Sequence, residues 1–331
     1  MSTFRNLTAA ALTAASLGMM PITGSAATLT GFSDFYVFGD SYSDPGNLFA
    51  TFISPFVPAP PPGFDRNGQV SDGDTWASQL GADINSGTNF AFASARAVTT
   101  GSLNFDLGIA TVPIDVSDLP QQIAAFQAQL AGGLTLGSNP LAAVFMGGND
   151  VGDSGSAADP VARLAAAVGE VVSSVGTLLS EGIPNVVVMG APDVGLLPGV
   201  QQGGIGAITE ATLASAAYNG ALQAALAAFD PAQVQFFDTA GLLQEIAGDL
   251  SGFGFNQPLA AQCLAALGVS AANCDGFLFF DDLHPTEAGH TIIAERFAEQ
   301  VSIAPIPLPA SSVLLLAGLG GLLMLRRRAC A

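Results

Sequence analysis

Short apolar runs and longer, helix-spaced apolar stretches alternate along this chain. The runs at 35–38, 89–92, 142–146, 185–189 and 233–237 predict strands, the fourth punctuated at its ends by Pro184 and Gly190. Between them, 119–130, 161–180 and 212–229 are rich in Ala, Leu and Val and predict helices. No internal repeat is visible. Strands alternating with helices imply a parallel sheet covered by helices. In such a sheet ligands bind beyond the carboxyl ends of the strands. The residues just after each predicted strand are therefore the first to search: Gly39-Asp40-Ser41, Ala93-Ser94, Gly147-Gly148-Asn149-Asp150, Gly190-Ala191-Pro192-Asp193 and Asp238. Glycine and polar residues recur there, as they do in turns generally.

Both ends break this pattern. Residues 1–27 carry one positive charge (Arg5), an apolar stretch from Ala9 to Met20, and then Ser25-Ala26-Ala27. That is the layout of a secretory signal peptide cut after Ala26 or Ala27. Residues 304–331 hold a Pro-rich spacer, an apolar run from Val313 to Leu325, and Arg326-Arg327-Arg328. The run reaches roughly 20 Å as a helix, short of the ~30 Å hydrocarbon core, and the arginines are expected to stay on the cytoplasmic side. Ile306-Pro307-Leu308-Pro309-Ala310 resembles the Val-Pro-Leu-Pro-Ala variant of the PEP-CTERM sorting signals, with Ile in place of Val. The resemblance implies cleavage by an exosortase-type membrane protease, which makes the tail a temporary anchor. Residues 28–303 are then a single α/β domain, exported to the cell surface or beyond.

Charge narrows the partners. That body holds all 27 acidic residues against Arg66, Arg96, Arg163 and Arg296, a net −23, and the chain has no lysine. Phosphate binding needs clustered cations, so nucleic acid is excluded as a partner. Cys263 and Cys274, in a loop-like stretch of an exported domain, are expected to form a disulfide, whereas Cys330 leaves with the tail.

Candidate chemistry begins at "FGDSYSDPGN", residues 38–47, where an apolar strand ends in Asp40, Ser41 and Asp44. A serine hydroxyl needs an adjacent base to act as a nucleophile, most often imidazole. The chain has two histidines, His284 and His290, both in "FFDDLHPTEAGHTIIAERF". Asp281 precedes His284 by three residues, near enough in a turn to accept the Nδ1 proton and leave Nε2 free for Ser41. Asp282 is expected to point elsewhere. Pro285 is expected to start the helix that follows, with His290 packed inside it. Asp44 and Asn47 are read as turn-holding residues.

Together "FGDSYSDPGN", "GGND" and "DDLHPTEAGH" resemble the GDSL, or SGNH, family of serine esterases and lipases in content, order and spacing. A second Gly-Asp-Ser at 152–154 has no strand before it and reads as a loop. The resemblance implies a three-layer α/β/α, flavodoxin-like SGNH hydrolase fold. It also implies an oxyanion hole made of the Ser41 N–H, a second backbone N–H at Ser94, and the Asn149 amide. "NFAFASARA" departs from the family stretch, which normally has glycine where Ser94 stands. A backbone donor survives that change, and glycine matters there only if φ is positive or the substrate must come very close. "RNGQVSDGDTWASQLG", with Trp76, also resembles a family block.

The expected activity is hydrolysis of a carboxylic ester, of lipid, acylated-glycan or other small-molecule type, through Ser41, His284 and Asp281, with no metal and no cofactor. The apolar loop 52–64 reads as a rigid connector that could also line an acyl site. The alternative from another class is a non-catalytic surface module that binds glycans.

Overall fold

In a computed structural model, residues 29–303 are described apart from 56–59, 61–62, 66, 100, 107–110 and 268–272. The 1–27 export segment and the 304–331 sorting tail lie outside the described residues, as do parts of the 52–64 loop.

Strand β1 (Asp34–Gly39) shows why a run of apolar residues becomes a central strand. Successive side chains point to opposite faces, so a strand covered on both sides is apolar throughout. Phe35 packs against Trp76 and Phe297 on one face, while Tyr36 and Phe38 pack against Phe126 on the other. Each such buried aromatic contributes about 1.5–3 kcal/mol relative to its exposed state.

Helix α1 (Trp76–Gln79) follows, then the strands β2 (Ser102–Asp106) and β3 (Thr111–Asp115), helix α2 (Leu119–Ala131) and strand β4 (Pro140–Phe145). Helices α3 (Gly148–Ser154) and α4 (Pro160–Ser180) lead to strand β5 (Asn185–Met189). Helices α5 (Pro198–Gln201) and α6 (Gly204–Leu226), strand β6 (Val234–Phe237), and helices α7 (Thr239–Gly248), α8 (Cys263–Leu267) and α9 (Glu287–Ile303) complete the order.

The central sheet runs β1-β4-β5-β6, parallel throughout, and β2 and β3 form a separate antiparallel pair. Segment 89–92 lies along the outer side of β1, joined by the parallel bridge Val37↔Asn89. With that segment the order becomes the flavodoxin-like 2-1-3-4-5. Helices α2, α4 and α6 pack beside one another on one face, with α1 and α9 on the other, giving three α/β/α layers. By length and composition α4 is long and apolar enough to cross a membrane, yet Ala167, Val171, Val175 and Leu178 are buried within the fold.

Four expectations shift. Segment 89–92 is not a full strand: it bonds to β1 at Val37 and Gly39, but the Asn47 amide takes the Asn89 and Ala91 carbonyls and the Asn89 side chain takes the Ala91 N–H. Helix α6 starts at Gly204 rather than residue 212. Its first turns are recruited by packing on 194–196, where Ser215 Oγ accepts the Val194 N–H. Residues 152–154 are the last turn of α3, not a loop. Helix α9 begins at Glu287, two residues past Pro285; Thr286 Oγ1 accepts the Gly289 N–H in front of it. The β2–β3 pair was not expected at all.

Candidate active site

Strand β1 delivers Ser41 to the carboxyl edge of the sheet through a tightly packed exit. Gln122 of α2 binds both the N–H and the carbonyl of Gly39, at 2.9 and 2.8 Å, which fixes the strand's last residue. A Cβ at Gly39 would sit 2.9 Å from Ser43 Oγ and 3.0 Å from the Phe145 carbonyl, so only glycine fits. The turn beyond it is closed by carboxylates. Asp40 Oδ1 accepts the Tyr42 N–H, and the buried Asp44 accepts the N–H groups of Gly46, Asn47, Leu48 and Ala93. Asp44 therefore holds the serine turn to the Ser94 segment as well as holding itself. Asn47 serves segment 89–92 with its side chain.

His284 arrives from the other end of the chain. Its Nε2 lies 2.8 Å from Ser41 Oγ, across a separation of 243 residues. Its Nδ1 lies 2.8 Å from Asp281 Oδ2, and Asp281 Oδ1 accepts the backbone N–H groups of Leu283 and His284. With Asp281 ionised, Nδ1 carries the proton and Nε2 is left as the acceptor for the serine hydroxyl. Tyr42 donates its hydroxyl to the Leu283 carbonyl at 2.7 Å, tying the residue after Ser41 to the histidine turn. Asp282 is exposed and its carbonyl accepts from Gly199, away from this pair.

Burial by itself would lower the His284 pKa. The adjacent Asp281 charge and its hydrogen bond, with Asp40 and Asp282 further off, outweigh burial and raise it above the ordinary 6.5. The same pairing lowers Asp281 against its own desolvation. Asp40, next to the nucleophile, is pushed up to about 7, chiefly by burial. His290 is fully buried in α9 with neither ring nitrogen bonded, and desolvation lowers its pKa to about 3. It is a neutral packing residue set edge-on to Tyr42.

A cleft of about 610 Å³ opens above Ser41. Its lining includes Asp40, Tyr42 and Phe145 and the apolar side chains of Pro192, Val194, Leu197 and Leu283. It also includes one face of α3, where Asn149, Gly152 and Asp153 recur at helical spacing. Gly147, at φ 119°, starts that helix; a Cβ there would fall 2.3 Å from the Tyr218 ring. Asn149 donates one amide hydrogen to the Ala95 carbonyl at 2.8 Å and keeps the other. Asp150 accepts the Ala97 N–H and pairs with Arg163, so α3 also secures the segment that carries Ser94. Arg96 and Arg163 both pair with Asp153, at 2.6 and 3.0 Å. Asp153 and Tyr42 are site residues that the sequence reading did not assign. Tyr42 stood inside the serine motif; Asp153 stood in the repeat set aside as a loop.

Ser94 is not on the cleft lining, but its backbone answers the question raised by the missing glycine. Its φ is +69°, the only positive value at a non-glycine among the described residues. Left-handed backbone costs about 1–2 kcal/mol for a residue with a Cβ. Among the described residues neither Ser41 nor Ser94 has an acceptor for its N–H. The N–H groups of Ser41 and Ser94 and one Asn149 amide hydrogen are thus left without an acceptor among the described residues. Ser94→Gly removes the left-handed strain but adds chain entropy to the unfolded state, so the expected net gain is about 0.5–1 kcal/mol. A thermal melt should show Tm rising by about 1–4 °C; a fall would mean that the serine side chain supports the turn.

Cys263 and Cys274 form a disulfide, with their Cα atoms 5.5 Å apart. No group of three or more His, Cys, Asp or Glu suited to a metal occurs among the described residues.

A profile of the GDSL-like Lipase/Acylhydrolase family matches residues 35–297. No curated protein matches the sequence. Similar solved structures include a catalytic mutant of Axe2, an acetylxylan esterase from Geobacillus stearothermophilus, at 14% identity, covering 82% of this chain and 96% of that chain with a TM-score of 0.45. A member of the lipolytic protein G-D-S-L family from Veillonella parvula matches at 12% identity over 82% of this chain and 99% of that chain, TM-score 0.42. LAE5, an alpha/beta hydrolase enzyme from the metagenome of Lake Arreo, Spain, matches at 12% identity over 82% and 96%, TM-score 0.44.

Proposed function

The chain belongs to the GDSL-like lipase/acylhydrolase family, and we propose that it is a serine ester hydrolase working through Ser41, His284 and Asp281. The observation that carries this reading is the 2.8 Å approach of His284 Nε2 to Ser41 Oγ while Nδ1 is held by Asp281. Ser41 Oγ attacks the ester carbonyl carbon as its proton passes to Nε2. The developing oxyanion takes hydrogen bonds from the N–H groups of Ser41 and Ser94 and from the Asn149 amide. His284 then returns the proton to the departing alcohol, leaving an acyl group on Ser41. Water attacks that acyl carbon, gives its proton to Nε2, and the acid leaves as Oγ is reprotonated. Asp281 stays ionised throughout and stabilises the imidazolium that forms.

The cleft supports a narrower reading of the substrate class. Its lining combines apolar side chains with Asp153, a carboxylate held by two arginines. A neutral ester whose alcohol carries hydroxyl groups, as in an acylated glycan, suits that lining, whereas the acidic body repels polyanions. We place the mature domain outside the cytoplasm. The Cys263–Cys274 bond supports this, since disulfides persist in oxidising compartments. The sorting tail is likewise proposed to be cut near residues 306–310, and the mass of the secreted protein checks both cleavages.

The test is a panel from acetylated oligosaccharides to long-chain p-nitrophenyl esters, run beside a fluorophosphonate probe whose adduct is located by peptide mass. Hydrolysis with the adduct on the Ser41 peptide is the expected result. No hydrolysis on the whole panel together with no adduct would leave a non-catalytic glycan-binding module.

A further inference from the structure

Loop 69–75, QVSDGDT, contributes nothing to the cleft lining, yet its side chains are bonded to the segment that bears Asp281 and His284. Ser71, fully buried, donates its hydroxyl to the Pro285 carbonyl at 3.0 Å. One oxygen of Asp72 accepts the Glu287 N–H at 2.8 Å and the other accepts the Cys274 N–H at 3.2 Å. A single carboxylate therefore joins a residue before Asp281 to a residue just after His284. The Cys274 end is anchored a second time by its disulfide to Cys263, whose own N–H binds the Phe279 carbonyl at 3.0 Å. Between those two ends the turn has bonds of its own, Asp281 accepting from Leu283 and His284 and Phe280 donating to the His284 carbonyl. It also has outside bonds at the carbonyls of Gly276, Phe280 and Asp282, which accept from Asn256 and Gln257, Leu264 and Gly199 respectively. Asp72 bridges the two ends that flank these bonds, and Tyr42 ties Leu283 to the residue after Ser41.

We propose that Asp72, assisted by Ser71, is a positioning residue that seats the Asp281–His284 turn as a unit, so that one imidazole meets Ser41 and Asp281 at bonding distance together. This inference rests on the reading of Ser41 and His284 as the reacting pair. Neither Asp72 nor Ser71 touches the reacting atoms. Their effect passes through the backbone at 274, 285 and 287, where losing the bridge lets the two ends of the turn part and loosens the Asp281–His284 contact together with the His284–Ser41 one. A displacement of about 1 Å at a reacting group costs up to about 100-fold in rate.

The experiment compares full-length wild type with Asp72→Ala, Asp72→Asn and Ser71→Ala. Three quantities are read: kcat and KM on the best ester of the panel, the acid limb of kcat/KM, and the downfield proton NMR signal of the His284 Nδ1–H held by Asp281. The charged groups acting on His284 are Asp281, Asp40 and Asp282, with neutral His290 nearby, and none of them is altered by these substitutions. For Asp72→Ala the expected result is a fall in kcat of about 10–100-fold with KM unchanged within about twofold. The acid limb should move down toward the ordinary imidazole value, and the downfield signal should broaden or vanish. Asp72→Asn, which keeps one acceptor, should lie between Ala and wild type. Wild-type kcat, limb and signal in Asp72→Ala would overturn the proposal. If Asp72→Ala fails to fold, Asp72→Asn and Ser71→Ala are judged by the same criteria. If the wild type hydrolyses no ester, the functional reading falls separately, and the proton signal alone decides whether Asp72 seats the turn: its loss supports the proposal and its persistence overturns it.

Discussion

Ser41→Ala is expected to lower kcat/KM for the best ester by a factor on the order of 10⁴–10⁶, while the folded state loses little. The reason lies in what the hydroxyl touches. Ser41 Oγ has one described partner, His284 Nε2, so its removal deletes a single hydrogen bond, about 1 kcal/mol of stability. The chemistry loses its only bond-forming atom. What survives is the oxyanion donors and the cleft, which can stabilise attack by water but cannot form an acyl-enzyme. Rates on the panel ester, read beside a thermal melt, check both halves of the expectation. More than about a hundredth of the wild-type rate would remove Ser41 as the nucleophile.

Asp281→Asn should lower kcat by about 10⁴-fold through the tautomer rather than through the geometry. The asparagine oxygen can still accept the Leu283 and His284 N–H groups, so the turn is kept. Its NH₂, however, donates toward His284 Nδ1. The imidazole then carries its proton on Nε2 and can no longer accept from Ser41. The pH dependence changes in a stated direction. In the wild type, activity requires neutral His284, whose pKa is raised, so kcat/KM climbs through a limb above 6.5. Without the Asp281 charge, burial dominates and the residual activity should show its limb at lower pH. A profile from about pH 5 to 9 for both proteins decides this; an unmoved limb would show that Asp281 does not set the imidazole's protonation.

The pattern of the chain was most legible where local physics decides. The unbroken apolar run 35–38 marks a strand covered on both faces, because successive side chains point to opposite sides and all are apolar. Helices 119–130 and 161–180 were placed within a residue or so at each end, their starts flanked by Asp118 and Asp159 ahead of prolines at the first turn. Legibility failed where partners are distant. The predicted helix began at 212, and the turns of α6 before it pack with 194–196, a distant partner that the local pattern does not display. Residues 152–154 read as a loop because no strand precedes them, whereas they close a helix that opens at Gly148. The ladder bonds missing from 89–92 went to Asn47, an exchange between loops that no window of sequence displays.

Composition and residue chemistry, with no structure at all, narrow an imidazole base for Ser41 to two histidines and set a cation-poor body against phosphate binding. These conclusions depend on which residues exist, not on where they lie. The tertiary structure decided the rest: that Nε2 of His284 reaches a hydroxyl 243 residues away, that Ser94 sits left-handed, and that one carboxylate at Asp72 bridges 274 and 287. Each of these is a meeting of groups far apart in the chain, and only the packing of the whole domain sets such distances.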